Sequence, residues 1–446
     1  MAQVSKRGVR AWMLADWAGQ PFHTLCITFV FAPYFVEFGL GGGDQAQATW
    51  GYMTGTAALI VAVLAPILGA MADVSGPRKP WIAGLSALHV LAVAALWLGV
   101  PGMDDPTIVL LAFALALITT ELAFIFLNAM LPDLGSESEI GRISGSAWAM
   151  GYLGGLVSLI LVLGLMAGDP ETGLTMLGIA PILGLDPAMG EGSRAAGPFS
   201  AIWYTVFIIP LFLFTPDVKR KPVAVSARRG LQELARMIGQ LPKRPSLMTF
   251  LLSSMLYRDA LAALYAFAGI YAAGVLGIGI IELGAFGILA NVTGALGAWV
   301  GGRFDSRLGP KPVVVFCTAS LALFSLTLTL TTATSFAGID LGPDSGVPTL
   351  VFFGLGALIG AAGGALQASS RSLMVRQASD PAVMTQSFGL YGLAGKATAF
   401  LGLFLIGFVT DVTSSQRLGV TPVVGLFVLG LVLLIWVRPK GDMSRA

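Results

Sequence analysis

Ionisable residues inside long apolar runs are the first chemistry this sequence offers. Arg258 and Asp259 stand side by side in the run 247–274, with Tyr257 and Tyr265 near them. Glu121 lies near the middle of the run 107–131, and Asn128 follows seven residues later on the same helical face. Asp16, Gln20 and His23, at i, i+4 and i+7, share one face of the first run. Pro21 lies beside that stripe and frees the carbonyl of Trp17 from its helical bond. Lys396 sits within the run 384–410. A charge in hydrocarbon is costly, so such groups are functional candidates by default, and burial favours the neutral form of a carboxyl, which suits a group that loads and releases protons. Adjacent helical residues point about 100° apart, so Arg258 and Asp259 each call for another partner, and Lys396 is the candidate for Asp259 or Glu121. An arginine, a lysine and two carboxylates at similar depth could hold a zwitterion, or exchange partners when one carboxylate is protonated. The plain alternative is that these groups only brace helices, most of all Asp16 near the end of its run.

The elements that must position these groups are membrane helices. The chain has 446 residues, 56% hydrophobic and only 11% charged, with a mean hydropathy of +0.82. That is too little charge to cover a soluble protein of this size, and a helix needs about 20 apolar residues to span the hydrocarbon core. Twelve runs qualify: 11–37, 48–72, 81–100, 107–131, 143–167, 199–215, 247–274, 281–302, 312–334, 348–374, 384–410 and 419–437. The alternating pattern of a β-barrel is missing. The 57 glycines suit closely packed membrane helices. The segment 171–185 is apolar but short and broken by Gly and Pro, which predicts a short interfacial helix in an outer loop. The basic, then apolar, start of the chain reads as a retained first helix rather than a signal peptide.

Charge placement sets the topology. With the N-terminus inside, all but four of the 26 Lys and Arg fall on inner segments; Arg194 and Arg417 are outside, and Arg258 and Lys396 lie within spans. The organisation that follows is a six-helix bundle at 1–215, a basic cytoplasmic linker at 216–246 and a second bundle at 247–446, with both termini cytoplasmic. Within the linker, GLQELARMIGQL could form an amphipathic helix on the membrane surface or a solvated tether. Cys26 and Cys317 fall in different halves, so neither a disulfide nor a metal site is expected. No phosphate-binding loop points to an ATP-driven pump, and no soluble domain could house an enzyme, so no cofactor is expected. His89 reads as a helix-packing residue, and Trp203, Tyr204 and Trp436 read as an interfacial aromatic belt. Gln367 and Arg371 share a face at the inner end of the tenth span and read as gate residues or anchors.

One small charged loop is written twice. Gly69-x-x-x-Asp73-x-x-Gly76-x-Arg78-Lys79 and Gly301-x-x-x-Asp305-x-x-x-Gly309-x-Lys311 both fall between the second and third spans of a half. The first copy resembles the signature loop of the major facilitator superfamily, and the second is a degenerate copy one residue longer. The segments MLADWAGQPFHT, FIFLNAMLPDLGSESEIGRISGSAWAMGYLGG, MLYRDALAALYAFAGIYAAG, ASSRSLMVR and FGLYGLAGKATAFLG are similar to the vacuole-effluxer-like branch of that superfamily, which includes fungal vacuolar amino-acid effluxers. The likeness covers nearly the whole chain. It departs at Ala15-Asp16-Trp17-Ala18-Gly19, where the branch has Tyr-Asp-Trp-Ala-Asn, and that departure bears on an amino-acid substrate more than on the fold.

The resemblance implies an all-α membrane protein of twelve helices in two six-helix bundles, with the first, fourth, seventh and tenth helices lining a central cavity. It implies a latch at the loops, with Gly69 allowing close helix approach, Asp73 pairing with a facing helix, and Arg78 and Lys79 held at the anionic inner surface. The function expected is a secondary transporter in the cell's inner membrane, moving a small polar solute by alternating access as proton-coupled efflux. The solute would be an amino acid or another zwitterion. The alternatives are import of a peptidoglycan fragment or sugar on the same fold, and a non-transporting membrane assembly or sensing protein. The partners expected are the solute, protons and membrane lipids, without nucleic acid, and the chain is expected to be monomeric.

Overall fold

A chain in hydrocarbon must satisfy its backbone polar groups internally, and in the computed structural model this one does so almost entirely with helices. The structure describes residues 4–217, 227–276, 280–342, 345–378 and 383–442. The main helices are α1 (Lys6–Pro21), α2 (Gly43–Ser75), α3 (Lys79–Ala94), α4 (Thr107–Ala129), α5 (Glu137–Leu165), α6 (Ala196–Phe214), α7 (Pro245–Leu276), α8 (Ile280–Leu308), α9 (Pro310–Thr329), α10 (Val347–Ala378), α11 (Met384–Ala397), α12 (Ala399–Thr413) and α13 (Thr421–Leu434). Ten helical segments among the described residues are long and apolar enough to cross a membrane. α8, and α11 with α12, stand where the sequence predicts the eighth and eleventh spans.

Two compact units make up the chain. The first comprises Met1–Ala65, Val74–Leu134 and Met150–Val225; the second comprises Pro66–Asp73, Gly135–Ala149 and Ser226–Ala446. Two short segments, one near the end of α2 and one at the start of α5, thus group with the helices that follow Ser226.

In the first unit α1 is irregular. Beyond Pro21 it continues as a π-helix, Phe22–Phe29, breaks at Val30, and has a second wide-turned stretch at Phe35–Gly39. Phe22, Phe31, Phe35 and Phe113 form an apolar core on this segment, with the Trp50 ring tilted against Phe113, their centres 4.4 Å apart. The carbonyl of Trp17, released by Pro21, accepts the indole N–H of Trp203 at 3.1 Å, and the two indoles stack. Trp203 is therefore a packing partner of α1 rather than part of an interfacial belt. Tyr204 likewise departs from the belt expectation, since it is buried and bonded to Ser86 at 2.8 Å. The segment 171–185 is not the short helix expected: its glycines at 173, 178 and 184 take positive φ and divide it into turns, leaving a 3-10 turn at Ile182–Gly184.

Helix starts in this fold recruit carboxylates. Asp217 accepts the amides of Arg78 and Lys79 at 3.1 and 2.8 Å, at the start of α3. Asp442 does the same for Ser246 and Leu247 at the start of α7. Asp217→Ala is expected to lower stability by about 1 kcal/mol, the usual loss for an N-terminal cap, read as a fall in the thermal unfolding midpoint.

Small residues bring the second unit together. A Cβ at Gly297 would meet the Ala361 carbonyl at 2.0 Å, and one at Gly364 would meet the Gly294 carbonyl at 2.2 Å. α8 and α10 therefore touch backbone to backbone, the close approach that glycine allows in membranes.

Candidate functional site

In the first unit, glycines of α5 seat the polar stripe of α1. Gly151 lies against Asp16, Gly154 against Trp17, and Gly155 against Gln20 and Thr24. Asp16 is buried and His23 half-buried. The His23 carbonyl, inside the π-helical stretch, accepts the Thr28 hydroxyl at 2.9 Å. Such stretches collect at functional positions in helices, and only Pro21 hinted at this one in the sequence. Glu121 is half-buried on α4 and Asn128 is buried further along it, where the Trp12 indole of α1 donates to the neighbouring Leu127 carbonyl at 2.9 Å. His89 is 1% exposed, with its ring nitrogen 3.1 Å from the Ala116 carbonyl, which fits a packing residue.

In the second unit, α7, α10 and α11 assemble a second polar cluster. Tyr257, Ser370 and Tyr391 join their hydroxyls in a chain. The Arg258 guanidinium lies over the Tyr391 ring, 4.4 Å from its centre, and donates to the Tyr391 carbonyl at 2.9 Å. Asp259 is only 2% exposed, and its Oδ2 has no hydrogen-bond partner among the described residues. The Asp259 carboxyl faces Thr398, the residue at which the eleventh span breaks between α11 and α12, and the Thr398 hydroxyl has no geometrically formed hydrogen bond among the described residues. The Lys396 side chain, expected to partner Asp259 or Glu121, lies outside the described residues. Tyr265 sits apart, its hydroxyl against Gly363.

The repeated loops build a third arrangement. Gly76 and Gly309 both adopt positive φ, 100° and 88°, which explains glycine at each before a proline. The Asp73 carboxylate accepts the amides of Thr385 and Gln386 at 3.1 and 2.8 Å, capping α11. A Cβ at Gly69 would reach the Thr385 carbonyl at 2.8 Å. The second copy differs: Asp305, 1% exposed, presses against Gly141 of α5, its Oδ1 accepting the Ser372 hydroxyl at 3.3 Å and its Oδ2 without a hydrogen-bond partner among the described residues. Here Ser306 accepts the α5 amide, from Arg142 at 2.8 Å.

Beside this, Gly145 and Gly302 face each other, and Arg371, 2% exposed, donates to the Ser144 hydroxyl and carbonyl at 2.9 and 2.8 Å. Gln367, a turn earlier on α10, is half-buried. Arg78 and Lys79 have partners of their own. The Arg78 side chain is buried on Asp133 at 2.7 Å, and Lys79 reaches the Phe212 carbonyl at 3.0 Å. Both side chains are thus tied to groups of the protein.

Residues 35–445 match the family described as vacuole effluxer Atg22 like. The chain belongs to that family. An uncharacterized MFS-type transporter, YxiO of Bacillus subtilis (strain 168), is 23% identical over 450 residues, 98% of this chain and 96% of the relative. Among solved structures, the transporter FucP in the outward conformation aligns with a TM-score of 0.70 at 13% identity, covering 97% of this chain and 98% of its own. The human organic anion transporter MFSD10 aligns at 0.67 and 16%, covering 96% and 99%. At these identities the structures establish the major facilitator fold alone. This Atg22-like chain is thus a multi-pass membrane protein and an MFS-type transporter, consistent with secondary transport.

Within the family frame, the structure adds residues that sequence reading passed over. Ser144 is remote in sequence from the Arg371 it holds, and Gly145 is one of many glycines. Thr398 has no Gly or Pro beside it to announce a helix break. Gly395, one of several glycines in FGLYGLAGKATAFLG, lies against the Arg258 guanidinium, a contact that nothing in that segment announces.

Proposed function

We propose that this chain moves a small polar solute, an amino acid or other zwitterion, by alternating access coupled to protons and in the direction of efflux. In this reading the parts are two six-helix bundles, 1–215 and 247–446, joined by the linker 216–246. The chain works as a carrier, not an enzyme, as a monomer in the cell's inner membrane with both termini cytoplasmic. Asp16, His23, Glu121 and Asn128 form the polar path of the first bundle, and Arg258, Asp259 and Lys396 that of the second. Gln367 and Arg371 gate the inner side, and the segment Gly69–Lys79 with Asp305 latches it. The latch contacts of Asp73 hold while the inner side is closed and part when it opens.

The observation that carries the reading is Asp259: a carboxyl 2% exposed, with one oxygen lacking a partner among the described residues, beside a break in a membrane helix. A scaffold gains nothing from such a desolvated group, whereas a carrier can load it with a proton in one state and empty it in another. Proteoliposomes with an imposed pH gradient test this against a panel of amino acids, short organic acids and sugars. Solute flux is expected to follow the gradient, and Asp259→Asn is expected to retain exchange while losing the response to it. Flux that ignores the gradient in the unmodified protein removes proton coupling, and no flux of any solute removes the carrier reading.

A further inference from the structure

The seat of Arg258 is built from one side only. Nη1 donates to the Tyr391 carbonyl, and the Tyr391 ring fixes the plane of the guanidinium from below. One turn further along α11, a Cβ at residue 395 would lie 2.4 Å from Cζ and Nη1 and 2.5 Å from Nη2. The guanidinium therefore rests flat on the bare backbone of Gly395. Its remaining N–H groups donate to none of the described residues, and no ion pair among those residues engages it. The neighbouring hydroxyls of Tyr257, Ser370 and Tyr391 are bonded to each other and carry no charge. A planar fork held at one corner, half-buried, with its other donors unspent, has the geometry that matches a carboxylate through two parallel hydrogen bonds.

We propose that Gly395 is a positioning residue that seats the Arg258 guanidinium as an oriented receptor for a carboxylate, so that this site reads solutes carrying a carboxylate. The inference rests on the carrier reading and specifies the chemistry of its solute. Gly395 acts through Arg258 and has no contact with the solute. The atoms that an added methyl group would meet are the far end of a flexible side chain and not backbone. Gly395→Ala can therefore be absorbed by moving the guanidinium, in a helix where alanine is the better former. The variant folds while the receptor is displaced.

The test uses the full chain in proteoliposomes, with matched pairs of solutes: leucine and leucinamide, glycine and glycinamide, lactate and propanediol, with xylose as a neutral control. The unmodified protein is expected to carry acids in preference to their neutral partners. Gly395→Ala is expected to raise KM for the carried acids about tenfold, the effect of breaking one charged hydrogen bond, with kcat and the thermal midpoint little changed. Arg258→Lys is expected to raise KM similarly, and adding Gly395→Ala to it is expected to cost nothing more, because an ammonium has no plane to seat. An unchanged KM in Gly395→Ala, the same penalty in the Arg258→Lys background, or equal transport of acids and amides would overturn the proposal. If only neutral solutes move, the carrier stands and the carboxylate receptor falls; if nothing moves, the carrier reading falls and the receptor with it.

Discussion

Gly145→Ala is expected to abolish transport and to lower the thermal midpoint of the purified protein by several degrees. The added Cβ would lie 2.3 Å from the Ala298 carbonyl and 2.7 Å from Gly302 Cα. Both are backbone atoms of α8, so no side chain can swing aside, and α5 and α8 must separate. Forced overpacking of this kind costs about 1–3 kcal/mol, occasionally more. The separation would also disturb Ser144, next in sequence, which bonds Arg371 and the Ala368 carbonyl. A buried arginine that loses its partners is among the larger penalties a fold can suffer. Gly84→Ala is the control: its Cβ would meet nothing within 4 Å, so both transport and midpoint should be unchanged. If the two variants behave alike in scanning fluorimetry and flux, the close approach of α5 and α8 is wrong.

The second large effect separates the two copies of the repeated loop. Asp73→Asn leaves one carbonyl oxygen to accept an amide and turns an NH2 group toward the other, so one capping bond and the charge are both lost. Charged hydrogen bonds of this kind contribute about 1.5–3 kcal/mol, equivalent to a shift of roughly 10- to 150-fold in the equilibrium for releasing the start of α11. Ser387, fully buried there, provides the reporter. A thiol introduced by Ser387→Cys should react with a water-soluble maleimide at least about tenfold faster when Asp73 is also Asn. An equal rate in both backgrounds would show that the cap does not hold this helix.

Asp305 is expected to behave in the opposite sense. Burial pushes its carboxyl up to about 7, a shift the Ser372 hydroxyl and the Arg376 charge only partly oppose. It lies past the apolar stretch 281–302, facing Ser369, Ser372 and Arg376 of α10, with Gly141 and, through Arg376, Glu137 of α5. Because the folded value is above the ordinary one of 3.8, the stability it contributes is whole below that pH and is lost as pH rises through about 7. The midpoint of the unmodified protein should therefore fall more steeply from pH 5.5 to pH 8 than that of Asp305→Asn. The difference between the two curves is the measurement, and parallel curves would remove Asp305 from this role.

These contrasts show how far the sequence could be read. Span lengths, the helical class and the doubled loop follow from hydropathy and from glycine, proline and aspartate at fixed offsets, all local signals. The release of the Trp17 carbonyl was legible from Pro21 alone, but its taker, Trp203, was not, because no local pattern tells a tryptophan that donates inward from one at an interface. The paired copies Asp73 and Asp305 look equivalent in sequence and differ in space, since the extra residue of the second loop puts Ser306 where the first copy puts its carboxylate. Arg371 and Ser144, or Arg258 and Gly395, are joined only by folding, and periodicity carries no information about such partners. The break at Thr398 left no trace because neither neighbour is a helix breaker.

The wide turns of the first membrane segment have a consequence for how length varies among related chains. A π-helical turn holds a surplus residue relative to an α-helical one, and here Phe22–Phe29 and Phe35–Gly39 both take that form. A one-residue deletion in either stretch can be taken up by tightening to ordinary helix, with the flanking faces still in phase. Losing a single residue inside this segment is thus expected to keep the buried rings on either side of it facing their present neighbours, an outcome a regular helix of the same length would not allow.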